Sequence, residues 1–170
     1  GGEETTVDLS ISSYASAKGW TNATQYATVD IDGKITVTAA GGGNTGKYYT
    51  NGTNWRLYQS ETPSLIFAAE DGYTIKQITI TYNVEKTGIL TFGGSNISSG
   101  TACDINATSA TFGVGNTGSA TNGQVRISNI SVTYSGSGGG YTAYSTSCGT
   151  FTITYYGFNS GGCTTTCDKN

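Results

Sequence analysis

Short runs in which apolar and polar residues alternate are the feature that most constrains the fold of this chain. In the clearest run, Ile78, Ile80 and Tyr82 point one way and the residues between them point the other, which is the period of a half-buried β-strand. Turn residues separate such runs roughly every 8 to 12 positions. The pattern therefore predicts about eight or nine short strands in an all-β, antiparallel β-sandwich that is jelly-roll-like.

The composition favours strands over helices. The 170 residues include 26 Gly and only 11% charged side chains, far from the mixture of Ala, Leu, Glu and Lys that fills helices. We therefore expect helix to be nearly absent. The alternating residues Val7, Leu9 and Ile11 are expected to form the first strand, and a loop that carries Trp20 follows it.

Two apolar segments predict local details of the strands. A two-residue turn at Asp32-Gly33 would put the flanking apolar residues on opposite faces, so we expect a three-residue loop that pairs Ile31 with Ile35. The continuous run 65–67 predicts a strand buried on both faces or a segment that crosses between sheets. Phe112 is expected in the core.

The last strand pattern of the sandwich changes phase within its length. Val125 and Ile127 occupy odd positions, whereas Ile130 and Val132 occupy even ones. An extra residue in one strand has this effect, so we expect a β-bulge near Ser128-Asn129.

The chain divides into a sandwich, residues 1–134, a Gly/Ser linker, 135–140, and a Cys-rich C-terminal tail, 141–170, that contains one strand. The even cysteine count predicts complete pairing in an oxidising compartment. Three connectivities are open, and in each the sandwich cysteine joins one in the tail. We favour a bridge within one chain over a bridge between copies. The four cysteines are Cys103, Cys148, Cys163 and Cys167.

Charge and hydropathy exclude two kinds of partner. The net charge is −3 and the 8 Lys and Arg are scattered, so no basic stripe is present for nucleic acid. No apolar run approaches the roughly 20 residues of a membrane-spanning helix, so we expect no membrane insertion. The chain begins at Gly1 without a signal-peptide pattern, as a processed or excised segment would. The Thr-, Ser- and Gly-rich composition favours an extracellular or cell-surface location.

The absence of histidine excludes Ser-His-Asp and Cys-His arrangements and imidazole metal ligands. A glycoside hydrolase with two carboxylates remains the lesser alternative, with Glu61, Glu70, Asp71 and Glu85 as its candidate acids. These carboxylates are interpreted as solvated turn residues. We therefore expect a protein that is not an enzyme.

No cofactor is expected. The segment Asp30-Ile31-Asp32-Gly33 is similar to the start of a calcium loop but lacks the other oxygen ligands at the required spacing. A structural calcium ion is kept as a minor alternative.

The aromatic stretch 47–59 is the most promising candidate for a binding surface. Sugars offer apolar C–H faces to aromatic rings and hydroxyl groups to planar polar side chains. The residues expected to bind a glycan are Tyr49, Asn51, Asn54, Arg56, Tyr58 and, from a separate loop, Trp20.

A second interpretation of the same stretch is purely structural. Trp55 and Leu57 alternate with Arg56 and Tyr58, so one pair should face the core and the other solvent. The tyrosines would then only pack on their neighbours. Asn51-Gly52 is expected to form the turn between two strands.

Four segments together resemble a known module. The runs KYYTNGTNWRLY, YTIKQITITY, SGTACDINATSATFGVGN and GQVRISNISVTY are similar to a β-sandwich accessory module of secreted or surface lipoproteins from Bacteroidetes-type bacteria, over residues 7–134. The resemblance implies a jelly-roll-like extracellular domain with a role in carbohydrate binding or adhesion. It carries no catalytic residues.

Two main hypotheses for function follow. The first is a non-catalytic extracellular module for binding or adhesion, with a glycan or surface polymer as partner. The second is a structural subunit of an extracellular filament, in which each copy lends a strand to the next. Either terminal segment, 1–13 or 150–158, would be the strand that is lent.

Overall fold

The β-sandwich is built from two antiparallel sheets. The computed structural model describes residues 2–136 in full and, beyond them, the backbone of residues 141–148 and 151–158. The elements are β1 (Glu4–Ser10), α1 (Ile11–Lys18), β2 (Thr24–Gln25), β3 (Thr28–Ile31), β4 (Ile35–Ala40), β5 (Lys47–Tyr49), β6 (Asn54–Tyr58), a 3₁₀ turn (Gln59–Glu61), β7 (Ser64–Ala69), β8 (Tyr73–Glu85), β9 (Gly88–Phe92), β10 (Ser95–Ile97), β11 (Ala102–Ala107), β12 (Ser109–Asn116), β13 (Gln124–Gly136), β14 (Tyr141–Cys148) and β15 (Phe151–Phe158).

Sheet A has the strand order β11-β8-β13-β6-β5-β2, and β1 also pairs with β13. Sheet B has the order β10-β9-β12-β7-β4-β3. The inward side chains of both sheets form one core, in which Trp55, Phe67 and Phe112 are the largest fully buried residues. The antiparallel β-sandwich is therefore confirmed, and so is the place of Phe112.

Strand β13 organises sheet A because it changes partner along one edge. Residues 124–127 of β13 pair with β6, and residues 129–135 pair with β1. On the other edge β8 follows β13 throughout, with register shifts between Ile127 and Asn129 and between Thr133 and Tyr134. At the first shift the extra residue is Ser128, so the predicted bulge is confirmed.

The predicted three-residue loop is also confirmed. Ile31 pairs with Ile35, and the chain turns through Asp32 and Gly33 with φ of 56° and 65°. All the apolar residues on both sides of the loop consequently face the core, as the burial of Val29 and its neighbours shows.

The first strand ends before the predicted position, because Ile11 begins the helix α1 instead of continuing β1. The Ser10 side chain accepts a hydrogen bond from the Ser13 amide at 3.3 Å, and Gly19 ends the helix in the left-handed conformation. These are standard helix caps. The helix buries Ile11 and Ala15 in the core, so the prediction of a strand through Ile11 followed by a loop was wrong.

Strand β7 also differs from its prediction. It pairs with β4 and β12 within sheet B, so it does not cross between sheets. Leu65 and Phe67 are fully buried, whereas Ile66 between them is only half-buried. The strand therefore has one core face, and the apolar residue on its other face made the run continuous.

The C-terminal segment contributes a hairpin. Strands β14 and β15 pair with each other in a two-stranded sheet of their own, where one strand was predicted. The linker 135–140 lies outside the described residues from 137 onward. The predicted disulfides also lie outside them, because Cys163, Cys167 and the side chain of Cys148 are not among the described parts. Within residues 2–136, the Cys103 thiol has no disulfide partner.

Candidate functional site

The predicted aromatic stretch forms the β5–β6 hairpin at one side of sheet A. Tyr49 pairs with Asn54, and the turn between them places Gly52 at φ 87°. The Thr53 amide donates to the Thr50 carbonyl at 3.2 Å and closes the turn. The expected Asn51-Gly52 turn is therefore confirmed.

The core face of this hairpin carries Tyr48, Trp55 and Leu57. Trp55 and Leu57 are both 0% exposed. The Trp55 indole N–H lies 2.9 Å from the carbonyl oxygens of both Tyr26 and Gly46, to which it donates. The structural interpretation is therefore confirmed for Trp55 and Leu57. Both side chains are buried in the core and cannot contact a ligand.

The opposite face is less open than the alternation predicted. Arg56 is only 8% exposed and Asn54 only 6%. The Arg56 Nε donates to Asn54 Oδ1 at 2.7 Å, and the Tyr49 ring centroid lies 3.8 Å from the guanidinium carbon. A further contact of 3.5 Å joins Arg56 to the Asn51 carbonyl. The outer face of the hairpin is thus a packed layer in which Tyr49 covers a buried cation.

A row of cations crosses sheet A at this position. Arg56 pairs with Lys47 on one side and with Arg126 on the other. Arg126 Nη1 lies 3.4 Å from Glu85 Oε2, and its Nε donates to Gln124 Oε1 at 3.0 Å. This row was not predicted, because Arg126 is far from the hairpin in sequence.

Tyr58 stands beside this row and pairs with Gln124. Burial raises the pKa of the Tyr58 hydroxyl, the neighbouring Tyr49 phenol raises it further, and Arg56 lowers it. The hydroxyl is therefore a neutral group that both donates and accepts hydrogen bonds at ordinary pH.

Trp20 lies apart from the other five predicted residues. Its ring stacks on Tyr26, with centroids 4.3 Å apart and planes inclined by 2°. Its edge contacts are with Tyr14 at 5.4 Å and with the core-facing Tyr48 at 5.7 Å. The structure brings Tyr49, Asn51, Asn54, Arg56 and Tyr58 together on one hairpin and places Trp20 in a different aromatic cluster beside the core.

A polar cleft of about 390 Å³ occupies the other end of the outer face of sheet A. Thr6 and Thr133 share a hydrogen bond of 2.8 Å, and Gln77 donates to Asp104 at 3.0 Å. Sequence reasoning missed this cleft because its residues come from four strands. The lining residues are Glu4, Thr6, Lys76, Gln77, Asp104, Asn106 and Thr133.

Local hydrogen bonds hold two of the carboxylates considered above, Glu61 and Asp30. Glu61 accepts the backbone amides of Asn44 and Thr45, at 3.1 and 2.6 Å. Burial would raise the pKa of Glu61, but these hydrogen bonds outweigh it and lower the pKa. Asp30 accepts the Gly33 amide at 3.0 Å. Within residues 2–136, no three metal-ligating side chains come together.

Comparison of the chain with protein-family models, curated proteins and solved structures finds no match. The resemblance to a lipoprotein module of Bacteroidetes-type bacteria therefore stays a prediction. Among the described residues, no helix has the length and apolar character needed to cross a membrane.

Proposed function

We propose that this protein is a non-catalytic, extracellular or cell-surface module that binds glycans on the outer face of sheet A, with a jelly-roll-like sandwich and a disulfide-linked tail. The observation that carries the proposal is the placement of Tyr49 and Tyr58 around Arg56 on the outer face of sheet A. Both tyrosines are half-buried, so each ring is held in place while part of it remains accessible.

The chemistry of this face suits a sugar. A ring packed on a buried guanidinium, as Tyr49 is on Arg56, has less rotational freedom before a ligand arrives, which lowers the entropic cost of binding. The Tyr58 hydroxyl and the Gln124 amide beside it supply the hydrogen bonds that orient sugar hydroxyls.

The length of the face favours an oligosaccharide over a single sugar. Strand β13 runs from Arg126, beside the hairpin, to Thr133, in the polar cleft. At about 3.3 Å per residue these positions lie roughly 23 Å apart along the strand. Between them the outer residues of β13 are polar, including Asn129 and Ser131, so a glycan chain would meet hydrogen-bonding groups throughout.

A glycan array with the full chain and three variants tests the proposal. We expect Tyr58→Ala to abolish binding and Tyr58→Phe to weaken it, because only the second keeps the ring. Tyr26→Ala is the matched control, since it removes a half-buried ring from the Trp20 cluster. Thermal melting must show that each variant is folded. Binding that survives Tyr58→Ala and is lost in Tyr26→Ala would refute the assignment to this face.

The second candidate is the filament subunit that assembles by strand donation. It is favoured by the hairpin β14–β15, which pairs with neither sheet A nor sheet B. Strand β1 already pairs with β13 of its own chain, so the C-terminal hairpin is the segment to be lent. Electron microscopy of the native material decides the matter: a regular filament repeat supports this candidate, and monodisperse particles exclude it.

A further inference from the structure

We infer that the ligand of this face is an acidic glycan, one whose carboxylate or sulfate groups meet the row Lys47, Arg56 and Arg126. The inference rests on the proposed function and specifies its ligand class. Its starting point is a concentration of positive charge in a protein of net charge −3. The chain has two arginines, and they are direct neighbours on adjacent strands.

The row contains more positive charge than its surroundings neutralise. Among the described residues, the only ion pair is that of Arg126 with Glu85. Lys47 Nζ contacts the neutral Asn44 Oδ1 at 2.8 Å, and Arg56 contacts Asn54 and Tyr49. Like charges placed opposite each other destabilise a sheet, so the row has a cost that an anionic ligand would relieve.

Burial strengthens the effect of Arg56. Its guanidinium is removed from most of the solvent, and a charge in a medium of low dielectric constant acts more strongly on its neighbours than one in water. Arg56 is a positioning residue in this arrangement, because it holds Tyr49 and charges the surface. Arg126, with 27% of its side chain exposed, and the half-buried Lys47 are the groups that reach a ligand.

The spacing of the row favours a polymer over a small anion. Lys47 and Arg126 are two strands apart, which is about 9.6 Å at the usual strand separation. This distance separates the backbones, so Lys47 and Arg126 can each contact an acidic group of their own. A chain with an acidic group on successive sugars supplies both groups.

Isothermal titration with polygalacturonate and with its fully methyl-esterified form isolates the acidic group, because the two polymers share a backbone. We expect the acid form to bind and the ester to bind at least about tenfold more weakly.

Arg126→Gln should weaken binding of the acid form roughly tenfold, and Arg126→Lys should restore part of the loss. Glu85→Gln should tighten it, because the competing carboxylate is removed. Lys18→Gln, the same charge change on α1, should have no effect.

Dextran sulfate and dextran form a second matched pair that reports on sulfate, and free galacturonate reports on binding of a small anion. The inference would be overturned if the acid and ester polymers, or dextran and dextran sulfate, bind equally well. If that binding is lost in Tyr58→Ala, the proposed glycan-binding function remains supported. Failure of every glycan, here and on the array, would overturn both. Free galacturonate as tight as the polymer would overturn the polymer requirement.

Discussion

Arg56 of β6 and Arg126 of β13 lie directly opposite each other on the outer face of sheet A. Each has its own compensation, since Tyr49 covers the Arg56 guanidinium at 3.8 Å and Glu85 lies 3.4 Å from Arg126. Cross-strand neighbours of like charge weaken a sheet, and the surrounding groups offset part of this repulsion.

Removal of the Glu85 carboxylate should therefore destabilise the fold in a salt-dependent way. Because 47% of the Glu85 side chain is exposed, we expect Glu85→Gln to lower the free energy of unfolding by at most about 1 kcal/mol at low salt. The difference should shrink near 1 M salt, where charges are screened. Urea unfolding at both salt concentrations measures it. Glu70→Gln is the control, and an equal loss at both concentrations would contradict the electrostatic explanation.

A close backbone approach between β9 and the start of β13 depends on glycine. A Cβ atom at Gly123 would lie 2.5 Å from the Gly88 amide nitrogen and 2.7 Å from its Cα. We expect Gly123→Ala to cost roughly 1 to 3 kcal/mol, as forced overpacking does. Gly43→Ala is the matched control because nothing lies within 4 Å of its Cβ position. Equal melting temperatures for the two variants would show that the backbone at Gly123 can move away from Gly88 without loss of stability.

The contact between Tyr134 and Asp32 makes stability depend on pH at the alkaline end. The Tyr134 hydroxyl donates to Asp32 Oδ2. This hydrogen bond and burial raise the Tyr134 pKa from 10.0 to about 12. A raised pKa means that the stabilisation is fully present below the unfolded value and is lost as pH rises to the folded one.

The native protein should consequently exceed Tyr134→Phe in melting temperature below pH 10, and the difference should close as the pH approaches about 12. The phenylalanine variant keeps the ring and lacks the titrating group, so it isolates this contact from the other tyrosines. A difference that stays constant over this range would show that Tyr134 does not titrate there.

The state of Cys103 tests the predicted link between sandwich and tail. Cys103 lies on β11, an edge strand of sheet A, and is half-buried. Non-reducing electrophoresis with peptide mapping should show a monomer that carries a Cys103 cross-link to a tail cysteine. A bridge of this kind contributes roughly 2 to 4 kcal/mol. A ladder of multimers would place the bridge between copies, and free Cys103 thiol would exclude it in both forms.

Features encoded by neighbouring residues could be predicted from the sequence. The Ile31–Ile35 pairing and the Ser128 bulge follow from the phase of alternation alone, and both are present. The helix α1 was missed because the apolar spacing up to Ile11 continues the strand period, although Ser10 and Gly19 carry the capping signals.

Features made by distant strands could not be predicted in this way. Sequence alternation assigned Tyr49, Arg56 and Tyr58 to one hairpin, but it does not specify which strand pairs with β6. Arg126 enters the site only through the pairing of β13 with β6. The separation of Trp20 from the outer face of the hairpin has the same origin, because tertiary packing places its ring on Tyr26.

The central claim is that the outer face of sheet A at the β5–β6 hairpin binds a glycan, and NMR titration with an oligogalacturonate tests it most directly. We predict that amide shift changes concentrate in β5, β6 and the adjoining part of β13, around Lys47, Arg56 and Arg126. Changes centred on α1 and Trp20 or on the strands of sheet B would contradict it, and the absence of any change would contradict the acidic-glycan inference alone.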